Sequence, residues 1–229
     1  MQSIGLIGGM SWESTSHYYS NINRAIGAAK GGLHSAPLWL HSVDFAPIEV
    51  LQREGKWEEA GQKLAHVAQQ LERSGAQGIA LCTNTMHKVA PLICKAITVP
   101  FLHIATATAQ ALLKHNITEI LLLGTRFTMQ EPFYKEILTQ HGITVHVPEK
   151  VEELDRIIFE ELCKGKVCVS SKAYYVRTIQ EHLCTHPTTQ GVVLGCTEIG
   201  MLLEPSDAPI SLFDTTTIHV DAIVKFMLS

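Results

Sequence analysis

Two turns more than a hundred residues apart carry the side chains best suited to moving protons. Residues 77–85 read QGIALCTNT and residues 190–198 read QGVVLGCTE. They align without a gap at an offset of 113, which sets Cys82 against Gly195 and Thr83 against Cys196. Each is a short apolar run ending in small polar residues, as a buried parallel strand does where it meets its turn. Side chains alternate along a strand, so Cys82 is expected to point away from Thr83 and to serve as a core thiol.

A hydroxyl and a thiol at matched strand ends suit inversion of a carbon centre. One group takes a proton from one face, and the other delivers a proton to the opposite face. Each turn precedes an expected helix start, where backbone N–H groups and the helix dipole favour a bound carboxylate. The same field is expected to lower the thiol pKa. A fall of about 2 units from ~8.5 corresponds to about 2.7 kcal/mol and makes thiolate abundant at neutral pH. The plain alternative is that Cys196 only packs at a strand end; the match to a polar turn in the other stretch weighs against it.

The elements that must hold these turns alternate in type. Strands are expected at 3–10, 36–45, 78–83, 99–104, 119–125, 143–148 and 191–197, with APISLFD at 208–214 leading to the last helix. Helices are expected between them and at the end. The segment 57–76 is the most strongly amphipathic, with Leu64, Val67, Ala68 and Leu71 on one stripe and Gly75 as its stop. Strand–helix alternation predicts an α/β protein with mainly parallel sheets covered on both faces. The pattern also restarts. Gly8 matches Gly124 and Tyr18 matches Tyr134 at an offset of 116, and IATAT at 104–108 matches FDTTT at 213–217 at 109. A shrinking offset is what small deletions in loops produce. The favoured explanation is a duplicated half, giving two pseudo-symmetric domains: 1–104 plus 212–229, and 105–211. In open parallel sheets ligands bind beyond the carboxyl ends of the strands, where residues 83 and 196 lie.

Composition removes several classes of function. The 229 residues are 46% hydrophobic and 17% charged, with a net charge of −4. Lys and Arg are scattered, so neither nucleic acid nor a membrane surface is an expected partner. No leader and no long apolar run is apparent, and a cytoplasmic location is expected. The six cysteines form no CxxC pair and read as reduced thiols, most of them in the core. A metal is not expected, since a zinc site needs more ligands at matched spacing. GLIGGM at 5–10 is not GxGxxG, so no dinucleotide is expected either.

With these residues set out, the chain resembles the aspartate/glutamate racemase family, which works without pyridoxal phosphate. The resemblance spans nearly the whole sequence, through IGLIGGMSWEST (4–15), TNTMHK (83–88), LLGTRFTM (122–129), GCTEIG (195–200) and FDTTTIHVDAIVKFML (213–228). It is nearest the branch of broad or L-specific aspartate/glutamate racemases. It implies an active site at the domain interface, a small amino-acid substrate, no cofactor, a frequent homodimer and two catalytic cysteines.

The chain departs at one of those cysteines. The family's CNT is TNT here, so the first catalytic position is Thr83 and the second is Cys196. A threonine hydroxyl holds its proton about as tightly as water does and is a very poor base at neutral pH. A thiolate is a serviceable one. The expectation is therefore an asymmetric site, in which Cys196 abstracts and Thr83 donates or relays. Such a site should prefer one enantiomer, and the related branch suggests the L-form.

By resemblance, Met10, Gln52, Asn84, Thr85 and Thr197 line the substrate. Gln52, read as following a strand, is a candidate for the distal carboxylate, with Arg53 as its alternative and a solvated loop amide as the plain reading. Thr125, matched to Gly9, and Lys164, a candidate to reach over the cleft, complete the set; for both, a structural or solvent-facing role is the alternative. Glu198 would oppose thiolate formation and so reads as a cap or an orienting group. His87 reads as a satisfied helix residue. Three other functions stay open: isomerisation, racemisation or decarboxylation of another small acid, a binding module with impaired catalysis, and a cysteine hydrolase, which would need a histidine beside Cys196.

Overall fold

The computed structural model describes all residues, 1–229, and the chain divides into two compact units. The first is Met1–Ile104 with His219–Ser229, and the second is Ala105–Ile218. No helix is long and apolar enough to cross a membrane.

The first unit is built on a parallel sheet of β1 (Ile4–Gly8), β2 (Leu38–Ser42), β3 (Ile79–Leu81) and β4 (Phe101–Leu102), in the order β2-β1-β3-β4. Every residue of β1 and β3 is buried, because both faces of the sheet are covered. Ile7, Ile79 and Leu81 pack with α2 (Phe45–Arg53), α3 (Trp57–Arg73) and α4 (Ala90–Ala96). The alternate residues Ile4, Leu6, Ala80 and Cys82 pack with Tyr18, Ile22 and Ile26 of α1 (Trp12–Lys30), and with the chain's last helix. In α3 the predicted stripe is buried, and the chain reverses at Gly75 with φ +100°.

After α5 (Ile104–Lys114), the second unit repeats the plan. Its strands are β5 (Glu119–Gly124), β6 (Thr144–His146), β7 (Gly191–Gly195) and β8 (Ser211–Asp214), in the order β6-β5-β7-β8. The same connectivity in each sheet is what a duplicated half produces. The helices are α6 (Arg126–Gln130), α7 (Pro132–Gln140), α8 (Glu152–Glu160) and α9 (Val169–Thr185), and α10 (Thr215–Leu228) closes the chain. Tyr18 and Tyr134, matched in the sequence, are both fully buried.

The structure departs from the sequence reading in three places. A boundary at 212 would cut β8, which pairs with β7 from Gly191↔Ser211 to Leu194↔Asp214; the division falls at His219 instead. IATAT at 104–108 lies wholly in α5, whereas FDTTT at 213–217 ends β8 and starts α10, so that repeat is not aligned element by element. Gln52 does not follow a strand. It lies in α2, which Asp44 caps by accepting from the Ala46 N–H at 3.2 Å.

Packing also explains why glycine stands at 195 where the other half has Cys82. A Cβ on Gly195 would meet Leu122 Cδ1 at 2.8 Å and the Leu123 carbonyl oxygen at 2.9 Å, because β5 and β7 approach closely under Thr128. Cys82 instead has apolar neighbours around it in the α1-side core. Gly195→Ala is therefore expected to destabilise the protein by about 1–3 kcal/mol, as overpacking does, read as a lower urea midpoint at unchanged slope.

Candidate functional site

In the first unit β3 ends at Leu81, and the Cys82 N–H donates to the Ile7 carbonyl at 2.9 Å, prolonging the ladder by one residue. The Cys82 side chain turns into the core, and burial pushes its thiol far above the ordinary range. The chain then changes character. Thr83, Asn84 and Thr85 are polar and buried, and a single 3-10 turn, Thr85–Val89, leads into α4. Gln52 reaches this segment from α2, its Nε2 donating to Met86 Sδ at 2.8 Å. Met10 is buried in the same cluster as Met86. The first unit thus gathers Met10, Gln52 and residues 83–86 into one neighbourhood. Arg53, the alternative to Gln52, is largely exposed beside Glu49.

In the second unit β7 delivers Cys196, Thr197 and Glu198, all buried. The Cys196 Sγ–H donates to Glu198 Oε2 at 3.0 Å, and the Thr197 hydroxyl donates to the same oxygen at 2.7 Å. One buried carboxylate oxygen therefore receives both side chains of the turn. Gly124 sits opposite Gly195 in the β5–β7 register, so Thr125 follows directly on the strand beside the cysteine. Thr125 caps α6, accepting from the Thr128 N–H at 3.3 Å. Lys164 is exposed at the end of a 3-10 turn, Leu162–Lys164, whose middle residue, Cys163, packs against the cluster that holds Cys196.

The electrostatics reverse one expectation. The Cys196 thiol is held well above its ordinary pKa, first by burial and then by the Glu198 charge, with a smaller opposing contribution from a backbone hydrogen bond. The two expected helix starts differ: a five-residue 3-10 turn, Thr85–Val89, runs straight on into α4, whereas the turn after Glu198, Ile199–Met201, has three residues and stops. So short a stretch of aligned backbone beyond Cys196 supplies little dipole. Cys196 rests as a thiol with an acceptor already in place, and that acceptor is a carboxylate rather than the imidazole a cysteine hydrolase would need. Glu198 thus orients both side chains of the turn, and its Oε2 is an acceptor within hydrogen-bond reach of the Cys196 thiol. The sequence spacing could have shown this, because two residues in a tight turn can bring both side chains together.

His87 and its neighbours were missed as a group. His87, His103 and His219 converge in the first unit, with ring centroids 4.5 Å apart for His87–His103 and 5.9 Å for His87–His219. Their positions in the sequence give no sign of this. No group of three or more His, Cys, Asp or Glu side chains is placed to hold a metal ion. A surface pocket of about 500 Å³ lies between residues 147–150 and α9 in the second unit, and none of the sequence-selected site residues lines it.

Comparison with known proteins bears on this arrangement. A family model described as Asp/Glu/hydantoin racemase matches residues 7–223. The structure is similar to the crystal structure of a candidate Asp/Glu racemase from Yersinia pestis, at 47% identity and a TM-score of 0.92 over 100% of both chains. It is similar to an aspartate racemase homologue from Pyrococcus horikoshii OT3, at 35% identity and a TM-score of 0.85, again over 100% of both. A broad-specificity amino-acid racemase of Bacillus subtilis is 24% identical over 162 residues, 71% of this chain and 70% of that one.

Proposed function

Because the chain belongs to the Asp/Glu/hydantoin racemase family, whose isomerases work without pyridoxal phosphate, we propose that it racemises a small acidic amino acid, aspartate or glutamate, with Cys196 and Thr83 each serving one face of the α-carbon. The observation that carries this reading is the Cys196–Glu198 hydrogen bond at the end of β7, with a threonine at the equivalent end of β3. In the proposed sequence the Cys196 proton passes to Glu198 Oε2, and the thiolate takes the α-proton. The carbanion then receives a proton relayed through the Thr83 hydroxyl from water, and Glu198 releases its proton to solvent, which neutralises the hydroxide left behind. The return path runs the same steps backward. Buried hydroxyls and amides at Asn84, Thr85, Thr125, Thr197 and Gln52 support a polar substrate whose carboxylates need donors, with Met10 packing beside them. Lys164 is a further donor for the distal carboxylate.

The expected preference for the L-enantiomer has a particular signature. Two enantiomers have equal free energy in water, so kcat/KM must be equal in both directions for any variant. Asymmetry therefore appears in kcat and KM taken separately, and in α-proton exchange without inversion. In D2O, L-aspartate or L-glutamate should exchange its α-proton faster than it inverts, because Cys196 can return a deuteron to the face it deprotonated. The D-enantiomer should exchange only as fast as it inverts. Thr83→Cys supplies a second base and is expected to raise exchange of the D-enantiomer by about a hundredfold, within the usual range for general-base catalysis. Equal exchange of both enantiomers in the unmodified protein would overturn the asymmetry.

The same reading includes a homodimer. The edge strand β2 presents Trp39 and Leu40 at 47% and 42% exposure, apolar surface that self-association would cover. Light scattering is expected to give twice the 25.2 kDa chain mass, and Trp39→Glu is expected to shift it toward the monomer.

A further inference from the structure

We propose that His87 is a positioning residue, a neutral imidazole that fixes the Thr83 carbonyl through its Nδ1–H while its Nε2 accepts the first N–H of α5, at Ile104. The hydrogen-bond partners dictate this assignment. The Thr83 carbonyl, 2.7 Å from Nδ1, can only accept. The Ile104 N–H, 3.2 Å from Nε2, can only donate. A ring that meets both must carry its single hydrogen on Nδ1 and a lone pair on Nε2. The imidazolium would direct a second N–H at the Ile104 N–H, so the clamp exists only in the neutral form.

The surroundings keep it neutral. His87 is 2% exposed and packs against Phe101, His103 and His219. Burial, and then His103 and His219, hold its pKa well below the ordinary histidine value. A second imidazole secures the same stretch of chain. His219 Nε2 donates to the Leu102 carbonyl at 2.8 Å, and its Nδ1 accepts from the Tyr18 hydroxyl at 2.9 Å. Residues 102–104 are thus held from two directions.

The consequence for chemistry lies at Thr83. A carbonyl pinned at 2.7 Å fixes the peptide plane after Thr83 and so constrains the direction in which its side chain leaves the backbone. Thr83 sits where an irregular turn follows a three-residue strand, so the strand ladder alone does not fix it. This catalytic part of the inference rests on the proposed racemase reading; the clamp and its tautomer do not.

Two experiments test it. In protein carrying 15N-labelled histidine, NMR is expected to show a His87 Nδ1–H in slow exchange at pH 7, with an unprotonated Nε2. An Nε2–H tautomer, or titration near pH 6.5, would overturn the clamp whether or not the protein is active. The second compares His87→Asn, whose amide nitrogen stands near the place of Nδ1, with His87→Gln, whose amide reaches the place of Nε2. His87→Gln is expected to lower inversion at least tenfold more than His87→Asn does, at similar KM. It is also expected to raise the ratio of α-proton exchange to inversion for the L-enantiomer, since only the Thr83 step is impaired. Equal losses in both variants with an unchanged ratio would mean the ring merely fills space, and the positioning role would fall. If the unmodified protein neither exchanges nor inverts aspartate or glutamate, the racemase reading fails, and the NMR result alone decides the clamp.

Discussion

Replacing Cys196 by alanine is expected to lower racemisation in both directions by roughly a thousandfold, the middle of the range general acid–base groups contribute. The argument begins with the resting thiol. Burial and the adjacent carboxylate hold its proton tightly, so little thiolate is present before substrate arrives. The proton must leave when the base acts, and Glu198 Oε2, 3.0 Å from Sγ, is positioned to receive it. Two consequences of Glu198 then pull apart in Glu198→Gln. Removing the negative charge makes the thiolate easier to form, so titration followed by thiolate absorbance is expected to show a lower Cys196 pKa. Removing the acceptor is expected to slow turnover by about 10–100-fold, because an amide cannot take up the proton. A variant with a lower thiol pKa and undiminished turnover would show that Glu198 only burdens the cysteine, and the proton path would have to be drawn elsewhere. In Cys196→Ala the carboxylate keeps the Thr197 hydroxyl as a donor at 2.7 Å, so the fold is expected to survive and the loss to be chemical.

The strand ends were legible because their signal is local. A run of buried residues must alternate across a parallel sheet, so the gapless match of residues 77–85 and 190–198 carried register as well as type. That register separates Cys82, which enters the core, from the turn that holds Thr83. The second helix was missed although Asp44 before Phe45 and Pro47 in its first turn are ordinary start signals. Nine residues give a weak period, and the apolar run before it suggested that the strand continued. The turn after 83–84 is a helix start, since its 3-10 residues run into α4, whereas the turn after 198 looks alike in the sequence and starts none. What differs is how far the backbone continues, and near residue 199 the chain is pulled into the core by Ile199, Leu202 and Leu203 before Pro205. The convergence of residues 87, 103 and 219 is purely tertiary: α10 starts after a second-unit strand, yet from His219 onward it belongs to the first unit.

Mild acid is expected to cost the first unit several kcal/mol of stability, well before most carboxylates are protonated. Burial holds His103 at about 4, and burial together with the neighbouring His103 holds His219 at about 4 despite the Leu102 hydrogen bond, which acts the other way. His87 is also held well below its ordinary value. A histidine with a depressed folded pKa leaves stability intact above its unfolded value near 6.5. As pH falls below that value, the unfolded chain binds protons that the folded one refuses. The loss then continues until pH reaches the folded pKa near 4 and goes no further below it. For His103 and His219 the difference is worth on the order of 3 kcal/mol each, against a total stability of about 5–15 kcal/mol for an ordinary domain. Urea unfolding between pH 7.5 and 4.5 is expected to show stability falling by about 1.4 kcal/mol per pH unit for each such histidine, steepest below pH 6. His219→Gln keeps a donor near the Leu102 carbonyl and cannot titrate, so its profile should be flatter by one histidine's share. A stability that stays level from pH 6.5 to 4.5 would mean these rings take up protons in the folded state, and would remove the neutral imidazole on which the hold on Thr83 depends.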